Sequence, residues 1–273
     1  MSAEALRSCP MCGRNNQAES SSPYSREHWR IKTCPSCSFV YLENAASYEQ
    51  LVSDFAWTKT KVDERDRKIS QEPVLLKAER RLRKLRRKAF GYNDKALIFL
   101  KAYVPTGDFL DIGCGIGGNI ERAAPDLRGS GIELDANAAA QAREIARSVG
   151  GDVIHADALS GLKQLPERSF DAVMMRAFLE HETQPRDVLE QTCRVLRPGG
   201  YTVIQVPNFG CLNRRVRGSR WCGFRFPDHV NYFVPGSLRG MVEASGLQIA
   251  QFRLRDRLPT SDRMWMVAQR PAA

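Results

Sequence analysis

The 273-residue sequence predicts an α/β protein: a doubly wound, mostly parallel sheet with helices on both faces, preceded by a small cysteine-rich unit. Three observations predict this. From about residue 107 onward, short apolar runs alternate with segments whose apolar residues recur at helical spacing. A glycine-rich turn, "FLDIGCGIGGNIERAA" (109–124), joins the first such run to the first such helix. Residues 1–50 hold two Cys-x-x-Cys pairs among turn-forming residues and show little hydrophobic periodicity.

Composition sets the bounds. Hydrophobic residues at 42% and charged residues at 26% describe an ordinary globular chain. No apolar run is long enough to span a bilayer. The start, "MSAEALRSCPMC", lacks the basic-then-apolar layout of a secretion signal, so the expectation is a cytoplasmic protein. There the eight cysteines are thiols or metal ligands rather than disulfides. The net charge of +10 is concentrated: residues 59–101 carry fifteen Lys/Arg against six Asp/Glu.

The first element is a zinc-ribbon-like domain over residues 1–50. Cys9 and Cys12 in "CPMC", with Cys34 and Cys37 in "CPSC", leave 21 residues between the pairs. Two thiolate turns can supply four tetrahedral ligands, which suits structural Zn²⁺ with no open coordination position. Redox dithiols or unligated cysteines are the alternatives. The remaining cysteines, Cys114, Cys193, Cys211 and Cys222, lack paired spacing and read as unligated.

A basic helical segment over residues 51–104 follows. In "EPVLLKAERRLRKLRRKAF", Leu75, Ala78, Leu82, Leu85 and Ala89 form one apolar stripe, and eight basic residues between Lys77 and Lys88 cover much of the remaining surface. That surface is a solvated face, a contact for an anionic substrate or membrane surface, or a contact for the phosphates of RNA. No aromatic residues interleave with the charges to stack bases.

Residues 105–273 form the third unit. "DFLDIG" reads as a strand and "GGNIERAA" as a helix start; "GSGIEL" is a strand and "ANAAAQAREIARSV" a helix. "DVIHADA" and "FDAVMMRA" are strands, "PRDVLEQTCRVL" a helix and "YTVIQVP" a strand. After an irregular stretch, "PGSLRGMVEASG" is a helix, while "QIAQFRLR" and "RMWMVAQR" are closing strands.

The glycine turn fits two patterns. G-x-G-x-x-G (Gly113, Gly115, Gly118) is the weaker, and D-x-G-x-G-x-G (Asp111, Gly113, Gly115, Gly117) the more specific. A dinucleotide would set its pyrophosphate at this turn, where the Asp111 carboxylate would repel it. A ligand carrying positive charge and no phosphate suits the acid.

At these residues the sequence resembles the class I S-adenosylmethionine-dependent methyltransferases. "GIELD" places Glu133 where the family's acid receives both ribose hydroxyls, and "HADAL" places Asp157 near the adenine amino group. "FDAVMMRAFLEH" and "RVLRPGGYTVIQVPN" match the family's fourth-strand segment and the helix–turn–strand after it. The resemblance covers roughly 105–270 and implies a Rossmann-like, seven-stranded sheet whose last strand is antiparallel. It also implies S-adenosyl-L-methionine as cofactor, held by Asp111, Gly113, Gly115, Gly117, Glu133 and Asp157. "CPSCSFVYLENAASYEQL" resembles the ribbon of a subgroup acting on sugars, glycans or other small metabolites, with Ser38 in place of the usual glycine.

If the acceptor is a hydroxyl, a general base is needed. Residues 208–233 leave the carboxyl end of a strand, where ligands bind in this architecture. Trp221, Gly223, Pro227, His229 and Phe233 resemble the subgroup's cap motif, which makes His229 the first candidate base and His181 in "LEHE" the second. Each has a competing structural role as a loop-fixing residue. Arg214, Arg215, Arg217, Arg220 and Arg225 against Asp228 suggest an anionic acceptor, with a solvated basic loop as the alternative. The reading is therefore O-methylation of a small or glycan-like acceptor. An RNA methyltransferase using ribbon and basic helix, or a zinc-containing binding protein without activity, are the alternatives.

Overall fold

The computed structural model describes residues 6–46, Arg81 and 94–272. Most of the expected basic helix thus lies outside the described residues.

The chain opens with a hairpin of β1 (Ile31–Thr33) and β2 (Val40–Leu42). Helix α1 (Lys95–Tyr103) follows, its first turn closed by Asp94, whose carboxylate accepts the Ala96 N–H. The alternating unit then runs β3 (Gly107–Ile112), α2 (Gly118–Ala123), β4 (Leu127–Glu133), α3 (Ala136–Ser148) and β5 (Val153–His155). It continues through α4 (Ala158–Gln164), β6 (Phe170–Arg176), α5 (Pro185–Val195) and β7 (Leu196–Pro207). A cap segment carries α6 (Leu212–Arg217) and β8 (Asn231–Tyr232), and α7 (Pro235–Ala244), β9 (Gln248–Gln251) and β10 (Arg263–Gln269) close the chain.

The seven-stranded sheet has the order β5-β4-β3-β6-β7-β10-β9, with β10 antiparallel to both its neighbours. Two-residue alternation divides each strand between two apolar layers. Leu110, Ile112, Val173, Met175, Ile204 and Val206 pack on the side of α4, α5 and α7. Phe109, Ala172, Met174 and Val203 pack on the side of α1, α2 and α3. Each fully buried large aliphatic contributes about 1.5–3 kcal/mol of burial, so the sheet is held rigidly where its strands end.

Several elements differ from the sequence expectation: α4 lies where no helix was expected, "QIAQFRLR" is a strand only through Gln251, and two strand boundaries move. "DVIHADA" is a strand only to His155, because Asp157 caps α4 by accepting the Ser160 N–H at 2.9 Å. Strand β7 begins five residues before "YTVIQVP", with a register shift where it meets Phe170 and Ala172.

The cysteine-rich hairpin does not stand apart. β2 pairs with β8, Val40 opposite Tyr232 and Tyr41 opposite Asn231, so hairpin and cap form one three-stranded sheet. Trp29, Ile31 and Leu42 share an apolar cluster with Phe209, Trp221 and Phe224 of the cap. Among the described residues no helix is long and apolar enough to cross a membrane.

Candidate functional site

The carboxyl ends of β3, β4 and β6 converge on the glycine turn. Gly113, Gly115 and Gly117 take φ of +71°, +55° and +86°, the left-handed region that side chains resist. Gly118 does not; it begins α2. The D-x-G-x-G-x-G pattern, not G-x-G-x-x-G, therefore describes the turn. A Cβ on Gly113 would lie 2.8 Å from the Phe178 ring, whereas one on Gly115 would meet nothing within 4 Å, leaving that backbone open to a ligand. Cys114 is buried with its sulfur against Gly131, a space-filling position.

Two acids flank the turn. Glu133 accepts the Gly115 N–H on one oxygen at 2.8 Å and the Asp135 N–H on the other at 3.0 Å. Asp111 is not at an open mouth: it is 1% exposed and accepts a hydrogen bond from Asn119 Nδ2 at 3.0 Å. Burial raises its pKa to about 7, against the opposing pull of Asn119 and of the Arg176 guanidinium. Arg176, at the tip of β6, pairs with Asp94 at 2.9 Å and reaches Asn119 at 3.3 Å, tying α1 to the glycine-turn side. Asn119 and Arg176 were not among the sequence candidates; the position of Asn119 in the first turn of the helix that follows the glycine turn was the available signal. Asp157 caps α4, as described, at the end of the segment following β5.

Beyond β6 the chain turns sharply over the glycines. Ala177 sits at φ +52°, strained for a residue with a Cβ, and Phe178 then packs on Gly113. The next residues carry the second half of the site. Glu180 is 2% exposed, its backbone carbonyl accepts the N–H groups of Val230 and Asn231, and among the described residues its Oε2 has no hydrogen-bond partner. Burial lifts its carboxyl to about 8. His181 Nδ1 lies 2.9 Å from the Asp228 carbonyl oxygen, and His229 Nδ1 lies 2.8 Å from that of Gly223. The two imidazoles meet edge to face with centroids 4.7 Å apart. Burial, helped by the nearby Arg225 charge, pushes His181 down to about 4 despite its carbonyl partner.

The cap residues fix this geometry by packing. Trp221 is fully buried and donates its indole N–H to Asp262 at 2.7 Å. Gly223 lies flat against the Trp221 ring, where any Cβ would overlap it. Phe233 packs edge-on to Phe39 of the hairpin at 5.3 Å. Of the five arginines, Arg225 pairs with Asp228 at 2.8 Å, and Arg214 lies 4.3 Å over the Phe209 ring and donates to the Tyr24 hydroxyl. Arg215 and Arg220 are exposed.

The four hairpin cysteines converge. Cys9 and Cys37 sulfurs are 3.5 Å apart, as are those of Cys12 and Cys34, and all four lie within 4.8 Å of one another. A tetrahedron with arms of about 2.3 Å has edges of roughly 3.8 Å, so the set can hold zinc. The two turns are equivalent: Gly13 N–H donates to the Cys9 carbonyl and Ser38 N–H to that of Cys34, with φ +76° and +59°. At Cys34 burial opposes ionisation, yet N–H donors from Cys37 and Ser36 and the Asn16 side chain bring the thiol down to about 6.

A family model described as a methyltransferase domain matches residues 75–251. The ubiquinone biosynthesis O-methyltransferase of Burkholderia thailandensis is 27% identical over 169 residues, covering 56% of this chain and 69% of that protein. Its counterpart in Burkholderia cenocepacia is 28% identical over 161 residues, covering 53% and 66%. The chain thus spans about two thirds of the length of these relatives. Among solved structures, an S-adenosylmethionine-dependent methyltransferase from Mesorhizobium loti matches with a TM-score of 0.51 at 19% identity, over 64% of this chain and 96% of that one. The [4+2]-cyclase SpnF matches equally, at 0.51 and 19%, over 66% and 82%. Such likenesses show a shared fold; the chemistry has to be argued from the site.

Proposed function

The chain belongs to the methyltransferase-domain family, as a class I S-adenosylmethionine-dependent methyltransferase, and we propose that it O-methylates a small or glycan-like acceptor under residues 208–233. The observation that carries the acceptor side is the meeting of Glu180, His181 and His229 at one point. Phe178, seated on Gly113, joins that point to the cofactor turn.

In this reading Gly113, Gly115 and Gly117 let backbone close on the cofactor, Glu133 receives the ribose hydroxyls, and Asp157 borders the adenine. Asp111 supplies negative charge toward the cationic methyl donor. Transfer is an in-line displacement from sulfur, so holding donor and acceptor in register is much of the catalysis. The hydroxyl proton leaves at the imidazole cluster. His229 is the first candidate for that role and His181, held neutral by burial, the second. Arg215 and Arg220, both exposed on the cap, are the arginines able to meet an anionic group on the acceptor.

The four cysteines hold a structural zinc ion that takes no part in methyl transfer. Its bonded turns fix the β1–β2 hairpin, and through β8 they fix the loop bearing His229.

A labelled-methyl assay over sugars, glycans and phenolic or carboxylated metabolites tests this. Label on an acceptor oxygen, lost with His229→Ala at undiminished S-adenosylhomocysteine affinity, is expected. Label appearing on nitrogen or carbon alone would remove the O-methylation reading.

A further inference from the structure

We propose that Glu180, His181 and His229 form a binding site for a first-row transition-metal dication, distinct from the four-cysteine cluster. The inference deepens the proposed function, on which it rests for the use made of the ion, but the ion's binding can be measured separately.

The donor atoms are already gathered. One ligand atom from each of the three residues lies within 4.8 Å of the other two. Donors about 2.1 Å from a common ion lie at most roughly 4.2 Å apart, so shifts of well under an ångström close the set. The tautomers are also fixed. A carbonyl oxygen only accepts, so the contacts to Asp228 and Gly223 place the proton on Nδ1 of both rings. Each Nε2 then carries a lone pair. An imidazole that donates its other N–H to a backbone carbonyl is the usual arrangement of a metal-ligating histidine.

Glu180 supplies the third, independent observation. Its carboxyl group is buried, and Oε2 has no hydrogen-bond partner among the described residues. Leaving a buried carboxyl oxygen unmatched is costly, and a cation that displaces the carboxyl proton and is shared with two imidazoles is a partner that resolves it. The neighbouring positive charges are Arg225 and Arg263. The Arg225 guanidinium is engaged by Asp228 at 2.8 Å, which offsets its repulsion of a metal ion.

Two imidazoles and one carboxylate favour Zn²⁺, Co²⁺, Fe²⁺ or Mn²⁺ over Mg²⁺ or Ca²⁺, and three protein ligands leave a position for an acceptor oxygen. Bound there, the hydroxyl would release its proton to water, because imidazoles that ligate the ion through Nε2 no longer serve as the base they provide in its absence. The oxygen would then form its bond to the methyl carbon while the carbon–sulfur pair returns to sulfur, giving S-adenosylhomocysteine.

The experiment is a Co²⁺ titration of the full chain with zinc already in its cysteine cluster, followed by calorimetry and visible absorption. Expected is one further equivalent with the weak bands of a nitrogen–oxygen ligand set, at least tenfold weaker in Glu180→Gln and lost in His181→Ala and His229→Ala. S-adenosylhomocysteine affinity, measured on every variant, reports that each remains folded. Absence of the further equivalent in the wild type, or equal affinity in Glu180→Gln, overturns the proposal. Cofactor binding without Co²⁺ uptake removes the metal site alone. Co²⁺ uptake without transfer to any hydroxyl removes the O-methylation reading and leaves the site standing.

Discussion

Glu133 holds the Gly115 N–H at 2.8 Å, so the acid at the tip of β4 also fixes the turn after β3. The carboxylate spans the two strands whose ends form the proposed cofactor cleft, and its second oxygen holds the Asp135 N–H at the start of α3. Replacing Glu133 by Gln keeps the shape but removes the charge from these bonds. Charge-assisted hydrogen bonds are worth about 1.5–3 kcal/mol, so S-adenosylhomocysteine should bind roughly ten- to a hundredfold more weakly by calorimetry. Unchanged affinity would exclude Glu133 as the ribose acceptor.

Asp111 makes the site sensitive to pH. Burial raises its pKa from 3.8 to about 7, so between those values the folded state holds a proton that the unfolded state has lost. Its effect on stability is therefore most favourable at low pH and declines as pH rises through that window. A cationic methyl donor favours the ionised form, so S-adenosylmethionine affinity should increase from pH 5.5 to pH 7. Asp111→Asn should bind more weakly and without that slope; a parallel slope in the variant would place the titration elsewhere.

Gly223 lies where a Cβ would enter the Trp221 ring, and Trp221 has no room to retreat. Overpacking of this kind costs about 1–3 kcal/mol. Gly223→Ala should lower the melting temperature and, by moving the carbonyl that holds His229, reduce methyl transfer more than cofactor affinity. Equal losses in both would argue for general unfolding instead.

Ser38 adopts φ +59° in a turn where the matching position of the first cysteine pair is Gly13. The left-handed conformation is disfavoured for serine, so Ser38→Gly should stabilise the protein by on the order of 0.5–1 kcal/mol. Denaturant midpoints of Ser38→Gly and Ser38→Ala provide the check, with gain expected only for glycine.

Removing metal from the four cysteines should loosen the β1–β2–β8 sheet first. Leu42 N–H donates to the Val230 carbonyl, one residue from His229, so its hydrogen exchange should accelerate before that of β3 or β6 amides. Chelation that leaves Leu42 protected would separate the cluster from the cap.

Most strands and helices of the alternating unit, the glycine turn and the neighbouring acids were legible in the residues, and the antiparallel closing strand in the family resemblance. These are local properties: apolar alternation selects a strand, and glycine permits positive φ. Asp111 and Glu133 were legible because each lies at a strand end, within a few residues of the turn. Even there the sequence could not tell that Asp111 is buried against Asn119, since burial depends on what packs above a residue. Only packing brings Glu180 against two imidazoles, one of them 49 residues away, with a carboxyl oxygen unmatched among the described residues. The repeated acid–histidine pairs, Glu180–His181 and Asp228–His229, were the visible trace of that meeting. Likewise, the cysteine spacing suggested four ligands, but only strand pairing joined their hairpin to the cap. Contacts between distant segments follow from layers competing to bury their faces, and no short stretch of sequence contains both partners.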